Sequence, residues 1–522
     1  MPRHSKGRKP PSAHGSSPPP FPMKSFGMKA FCAFSGAIPA IAPFSAGRGR
    51  AILTGHDRLI AKGSPVLLAT LLAVAPPDTV ALIPVTKAGL PDWLAGQSPE
   101  TAAWLKTVGF AGDAGSVAFL PGGDGARALV GVSALDDLWA FAGLPTSLPA
   151  GSYHIDAALD ARAATRAALG WALGSYRFTR YKKTDKPLAG LVWPAHADRG
   201  EVERTASAVT LVRDLVNTPA CDLGPAELAD TARALAEEFE AALDVIVGPD
   251  LLDRDYPAIH AVGRASPRAP RLIDLRWGNP EHPKVTIVGK GVCFDTGGLD
   301  LKPSSAMLMM KKDMGGAAHA LALGRMVMMA GLPVRLRVLV PAVENVVGGD
   351  SFKPMDVLKT RKGLTVEVGN TDAEGRLILC DALAEADSEQ PALLIDFATL
   401  TGAARVALGP DLPALLSNND SLASDLLAAG TEVEDPMWRL PLWAPYRKGL
   451  DSKVADLSNV TSNGFAGAIT AGLFLQDFVS KDTPWAHLDT YAWNSGTRPG
   501  RPEGGEALGL RAAYAVIAKR FG

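Results

Sequence analysis

The chain predicts an α/β protein in two parts, a smaller N-terminal α/β domain followed by a larger C-terminal α/β domain whose mostly parallel central sheet is covered by helices. Three observations predict it. Short apolar runs alternate with segments of helical periodicity along both halves of the chain. The 522 residues exceed one ordinary core, since domains run to about 100–200 residues each. A composition of 47% hydrophobic and 20% charged residues is that of a globular chain, which excludes wholesale disorder and fibrous architectures.

Taken in order, residues 1–46 are rich in Pro, Ser, Gly and basic side chains and are expected to form a disordered tail. The tail has the composition of a transit peptide, and Met23-Lys24 before the apolar stretch 30–42 loosely imitates a signal peptide; a solvated tail or an early start codon is the plainer reading. Residues 47–187 read as the N-terminal domain, with strands near 66–74, 80–85, 116–120 and 128–132 and helices over 99–108 and 157–176. It holds no catalytic cluster. The apolar run 66–75 is closed by Pro65 and Pro76 and falls short of the roughly 20 residues a membrane span requires, so no membrane helix is expected. Residues 188–200, with Pro194, read as a linker. In the remaining domain, 201–522, a helix over 201–215 precedes strands at 243–247, 285–288, 336–340 and 392–397, which alternate with helices over 225–239, 315–330 and 377–386. Ligands of such sheets bind beyond the carboxyl ends of the strands, so chemistry is to be sought there.

Charge and cysteine content narrow the function. Asp57 is the first acidic residue and eight Lys or Arg precede it, leaving 45 basic against 54 acidic residues in the rest of the chain. An acidic body argues against nucleic acid as a partner, because phosphate neutralisation dominates such binding. Cys32, Cys221, Cys293 and Cys380 are far apart and form no CxxC pair, so neither a disulfide framework nor a thiolate zinc site is written here and a reducing, cytoplasmic location is expected.

Three segments carry chemistry. VGKGVCFDTGGLDLKP at 288–303 sets Lys290, Asp295 and Lys302 in a Gly-rich turn after a buried strand. It lacks GxxxxGK[ST] and the GxGxxG spacing, which leaves a phosphate loop unsupported and a solvated turn as the plain alternative. MMKKDMGG at 309–316 puts Asp313 just before a helix, where Asp is also a good cap. NTDAEGR at 370–376 aims Asp372 and Glu374 in one direction on an extended segment, although acids near a helix start are common for dipole reasons. Three carboxylate clusters on one sheet edge repel one another unless cations lie between them, and a divalent pair removes that cost. Such a pair is what a two-metal hydrolytic site needs. The nine histidines form no HExxH or HxH pattern, and His319 and His487 read as packing residues.

These three segments, with DLVNTPACDLGP at 214–225, ENVVGGDSFKPMDV at 344–357, ATLTGA at 398–403, KVADLSN at 453–459 and HLD at 487–489, resemble the M17 leucyl aminopeptidases, also called cytosol aminopeptidases, over roughly 200–522. The resemblance implies a metallo-exopeptidase acting on short peptides, with one divalent ion on Asp295, Asp372 and Glu374 and a second on Lys290, Asp295, Asp313 and Glu374. The ions implied are zinc, manganese or magnesium. It further implies Lys302 as oxyanion partner, Arg376 as holder of a bicarbonate general base, and Met310, Thr399 and Gly402 as lining of the pocket for the first side chain. A homohexamer with its sites facing an interior cavity is implied as well. Thr296 stands where the family often has Ser, and the ending TYAWNSGTRPGRPEGGEALGLRA at 490–512 departs from the commoner one, which marks a divergent subgroup. Another two-metal hydrolase, such as a phosphatase, and a DNA-binding regulator are the alternatives.

Overall fold

In the computed structural model, residues 68–122 and 126–522 are described, and the expectation of a disordered tail over 1–46 lies outside them. The first sheet is built from β1 (Leu71–Leu72), β2 (Val80–Thr86), β3 (Val117–Leu120), β4 (Arg127–Val132), β5 (Ser152–Ile155) and β6 (Gly190–Val192). Their order is β1-β6-β5-β2-β4-β3, parallel throughout except for β3 against β4. The apolar run around residue 70 contributes only the two-residue β1, and the segment read as a linker contains β6, which pairs with both β1 and β5. The longer helices that accompany this sheet are α1 (Leu90–Ala95), α2 (Pro99–Thr107) and α3 (Ala161–Gly174). α3 starts later than the apolar pattern predicts because the Asp160 side chain accepts from the Ala163 amide at 2.7 Å and caps it there.

The second sheet has nine strands: β7 (Ala242–Val247), β8 (Arg271–Trp277), β9 (Lys284–Gly289), β10 (Gly291–Asp295), β11 (Arg335–Asn345), β14 (Leu393–Ala398), β15 (Ala414–Ser417), β16 (Trp438–Arg439) and β18 (Trp485–Asp489). Between them in the chain, β12 (Val357–Lys359), β13 (Thr365–Glu367) and β17 (Leu457–Ser458) form a small separate sheet. The nine strands are ordered β16-β15-β18-β14-β9-β11-β8-β7, with β10 pairing β11. The middle four, β18-β14-β9-β11, are parallel, whereas β15 runs against β18 and β8 against both neighbours. The central strands are near-continuous apolar runs, as strands covered on both faces must be. Helices α4 (Arg199–Asn217), α5 (Pro225–Phe239), α6 (Gly315–Met329), α7 (Gly375–Ser388) and α8 (Leu510–Phe521) pack around it.

A single apolar core passes from the first sheet to the second, from Leu82 and Trp171 through Val212 and Leu215 to Leu321 and Ile395. The helices α3 and α4 make the junction. Among the described residues no helix is long and apolar enough to cross a membrane, and Cys221, Cys293 and Cys380 are free thiols.

Candidate metal centre

The parallel strands of the large sheet end in charged and polar side chains. Lys290 follows β9, Asp295 closes β10, Thr399 follows β14 and Asp489 closes β18. Lys290 is pinned by its backbone, its amide donating to Phe397 and its carbonyl accepting from Ala317. Its Nζ lies 2.7 Å from Asp313 Oδ2 and 3.0 Å from Glu374 Oε1, and donates to the Thr399 carbonyl at 3.1 Å. Gly375, first residue of α7, allows this approach, because a Cβ there would sit 2.5 Å from Lys290 Cε.

Asp295 is oriented by the Gly297 amide and by Asn345 Nδ2, at 2.8 and 2.9 Å on Oδ1. Gly297 has a φ of 87°, a left-handed turn that glycine adopts without strain. The turn returns Lys302, whose Nζ lies 2.8 Å from Asp295 Oδ2 and also contacts Asp372 Oδ1. Asp313 sits in the 3-10 turn Met310–Met314 and does not cap α6; its Oδ1 accepts from Thr399 Oγ1 at 2.7 Å. Carboxylate oxygens of Asp295, Asp372 and Glu374 come within 4.8 Å of one another.

Charge in this cluster is incompletely balanced. Asp313 Oδ2, Asp372 Oδ1 and Glu374 Oε1 are buried without a hydrogen-bond partner; each stands near a lysine nitrogen, but not in hydrogen-bond geometry. Burial, and then the neighbouring Asp295, push Asp372 up to about 6 and Glu374 well above the carboxylate range. Burial works against the ammonium of Lys290, yet Asp313, Glu374 and Asp295 outweigh it and hold the group above its ordinary value. Four carboxylates converging from three loops, with only the two lysine ammoniums of Lys290 and Lys302 among them, fit divalent cations.

Lys290, Asp295, Lys302, Met310, Asp313, Asp372, Thr399 and Gly402 thus meet at one cavity of about 530 Å³. Glu374 joins them through Lys290 at 1% exposure. Arg376 does not line the cavity: it is buried, with Nη1 on the Asn459 carbonyl at 2.6 Å and Nε unpartnered, and burial lowers it to about 10. His319 packs as the sequence predicts, between the Gly315 carbonyl and the Leu508 amide. His487 is buried against Asp396, Nδ1 to Oδ1 at 2.6 Å. Sequence alone misses Asn345, although it lies inside the ENVVGGD segment, and also misses Lys312, Arg405 and Tyr491, which line the cavity.

Residues 210–514 match the cytosol aminopeptidase family (M17) catalytic domain, and residues 80–194 the M17 aminopeptidase N-terminal domain. The crystal structure of a cytosol aminopeptidase from Coxiella burnetii is 52% identical and superposes with a TM-score of 0.84, covering 87% of this chain and 100% of that one. A bottromycin maturation enzyme solved in complex with Mn is 35% identical at a TM-score of 0.76, covering 85% of this chain and 99% of that one. A probable cytosol aminopeptidase of Roseiflexus castenholzii is 42% identical over 360 residues, 66% of this chain and 73% of its own. With two M17 domains matched in order and a carboxylate cluster suited to metal, the chain belongs to the cytosol aminopeptidase family and is a metal-dependent aminopeptidase.

Proposed function

We propose that the protein removes the N-terminal residue of short peptides at two adjacent divalent cations. Asp295, Asp372 and Glu374 would hold one, and Lys290, Asp295, Asp313 and Glu374 the other, with Asp295 and Glu374 common to both sets. The observation that carries this reading is the convergence of Asp295, Asp372 and Glu374, with carboxylate oxygens within 4.8 Å of one another, together with Asp313 on the far side of Lys290. Zinc and manganese suit this donor set, and magnesium suits its oxygens. When bound, such a pair supplies an activated water at neutral pH and polarises the scissile carbonyl.

The protein's own groups do the rest. Lys290 would serve as a ligand through its neutral amine, which neighbouring dications favour over the ammonium. Lys302, which stands against Asp295 and Asp372, would donate to the carbonyl oxygen as negative charge develops there. Arg376 lies behind the cavity lining, and its unpartnered Nε–H would be the donor that holds a bicarbonate ion serving as general base. Met310, Thr399 and Gly402 line the pocket for the first side chain.

We place the protein in the cytoplasm and its domain boundary within 188–200. The assembly is a homohexamer with inward-facing sites, which excludes folded proteins as substrates. Trp438, Trp443 and Tyr446 are exposed at 62%, 55% and 47%, which supports their use as interface residues, whereas Trp485 is fully buried in the core.

Chelation followed by reconstitution tests the reading. Leucinamide hydrolysis is expected to vanish with chelator and return with zinc, manganese or magnesium, in a species that sediments as six chains. Undiminished activity in the chelated protein contradicts the metal role, and a fully active monomer contradicts the assembly.

A further inference from the structure

The cavity carries two cations that hydrolysis does not employ. Lys312 is 5% exposed, and its Nζ stands 4.7 Å from the centre of the Tyr491 ring. Among the described residues no carboxylate lies within ion-pair distance of it. Arg405 approaches the same ring from its exposed position, with Cζ 5.3 Å from the centre and Nη1 3.5 Å from the hydroxyl. It too lacks an acidic partner among the described residues. Both cations line the cavity, as do the apolar Met309, Met310 and Leu412.

The acids nearby are committed elsewhere. Asp489 accepts from the Leu400 and Thr401 amides and from Thr401 Oγ1. Asp313 stands against Lys290 and Thr399, and Asp295 and Asp372 against Lys302. An aromatic face offsets only part of the cost of taking an ammonium out of water. A cation pair without an anion, beside an apolar wall, is complementary to a short hydrocarbon stem that ends in negative charge.

We propose that this cavity selects peptides whose first residue is acidic, Glu or Asp, with Lys312 and Arg405 receiving the side-chain carboxylate and Tyr491 holding the two cations in position. The inference rests on the aminopeptidase reading and names the substrate class of that same site. The apolar wall takes the methylenes of the side chain. A first residue of Lys or Arg is disfavoured by like charge.

Aminoacyl 4-nitroanilides, which carry no other carboxylate, provide the test. With the metal-loaded protein, kcat/KM for the Glu substrate is expected to exceed that for Gln by about tenfold or more, the discrimination that a charge-assisted hydrogen bond gives over its neutral isostere. Lys312→Met and Arg405→Gln are each expected to bring the Glu/Gln ratio toward one. A ratio does not depend on how much of a variant folds, and the exposed Arg405 provides the second reading if Lys312→Met does not fold. Hydrolysis of the Leu substrate with Glu no faster than Gln overturns the proposal alone, whereas no hydrolysis of any substrate overturns the aminopeptidase reading and this one with it. A carboxylate preference seen only for Leu-Gly over Leu-Gly-amide assigns the cations to the peptide terminus and also overturns it. A Glu/Gln ratio unchanged in both variants removes the assignment to Lys312 and Arg405.

Discussion

Lys302 is held between Asp295 and Asp372, and although burial penalises its ammonium, the two carboxylates keep the group above its ordinary value. Replacing it by Ala is expected to lower kcat by about 10²–10³-fold while KM changes little, because the interaction is made mainly in the transition state. Steady-state kinetics separates the two, and an effect confined to KM contradicts the role. At this scale the sequence reading grouped Asp295, Asp313, Asp372 and Glu374 as carboxylates on one sheet edge, and the structure brings them together around Lys290 and Lys302. Lys312, Arg405 and Tyr491 were not legible. They come from three separated segments, and the approach of a cation to a ring leaves no spacing in the sequence.

Elements were legible where burial alone decides them. α5 begins and ends where its periodicity and Pro225 predict, and β9 and β14 are the apolar runs themselves. β8 was not legible, because Asp274 and two arginines interrupt its apolar pattern. That aspartate is buried, with Arg276 of its own strand and Arg337 of the adjacent strand both on its oxygens, the latter at 3.0 and 2.8 Å, so the charge is satisfied in part by a partner more than sixty residues away. The start of α7 is the element on which the site depends most. Gly375→Ala forces a methyl group to within 2.7 Å of Lys290 Nζ, and so displaces the amine from Asp313 and Glu374. The variant is expected to keep its circular dichroism spectrum and lose most of its metal affinity and activity. A Gly375→Ala protein with wild-type metal content contradicts the packing argument.

Across the whole molecule, two sheets were readable from the alternation of strands and helices, but their shared core was not, because nothing local marks the faces of α3 and α4 that meet. Arg213 on α4 joins the parts. It is 1% exposed, donates to the Leu173 carbonyl of α3 and to the Gly500 carbonyl, and pairs with Glu506 at 3.1 Å. Arg213→Met strands a buried carboxylate, which costs about 3–5 kcal/mol. Thermal unfolding is expected at a clearly lower midpoint for this variant, and most of the loss is expected to return in Arg213→Met/Glu506→Leu, where no charge remains. A double variant as unstable as the single one contradicts the account of this pair.

The central claim is that carboxylates on three loops hold two catalytic cations, and Glu374 reaches both. The most direct measurement is metal content and turnover of Glu374→Ala after loading with manganese or zinc. The account predicts a folded protein that retains fewer than two ions per chain and hydrolyses leucinamide at a rate indistinguishable from background. A variant with two ions per chain and near-wild-type turnover would contradict it.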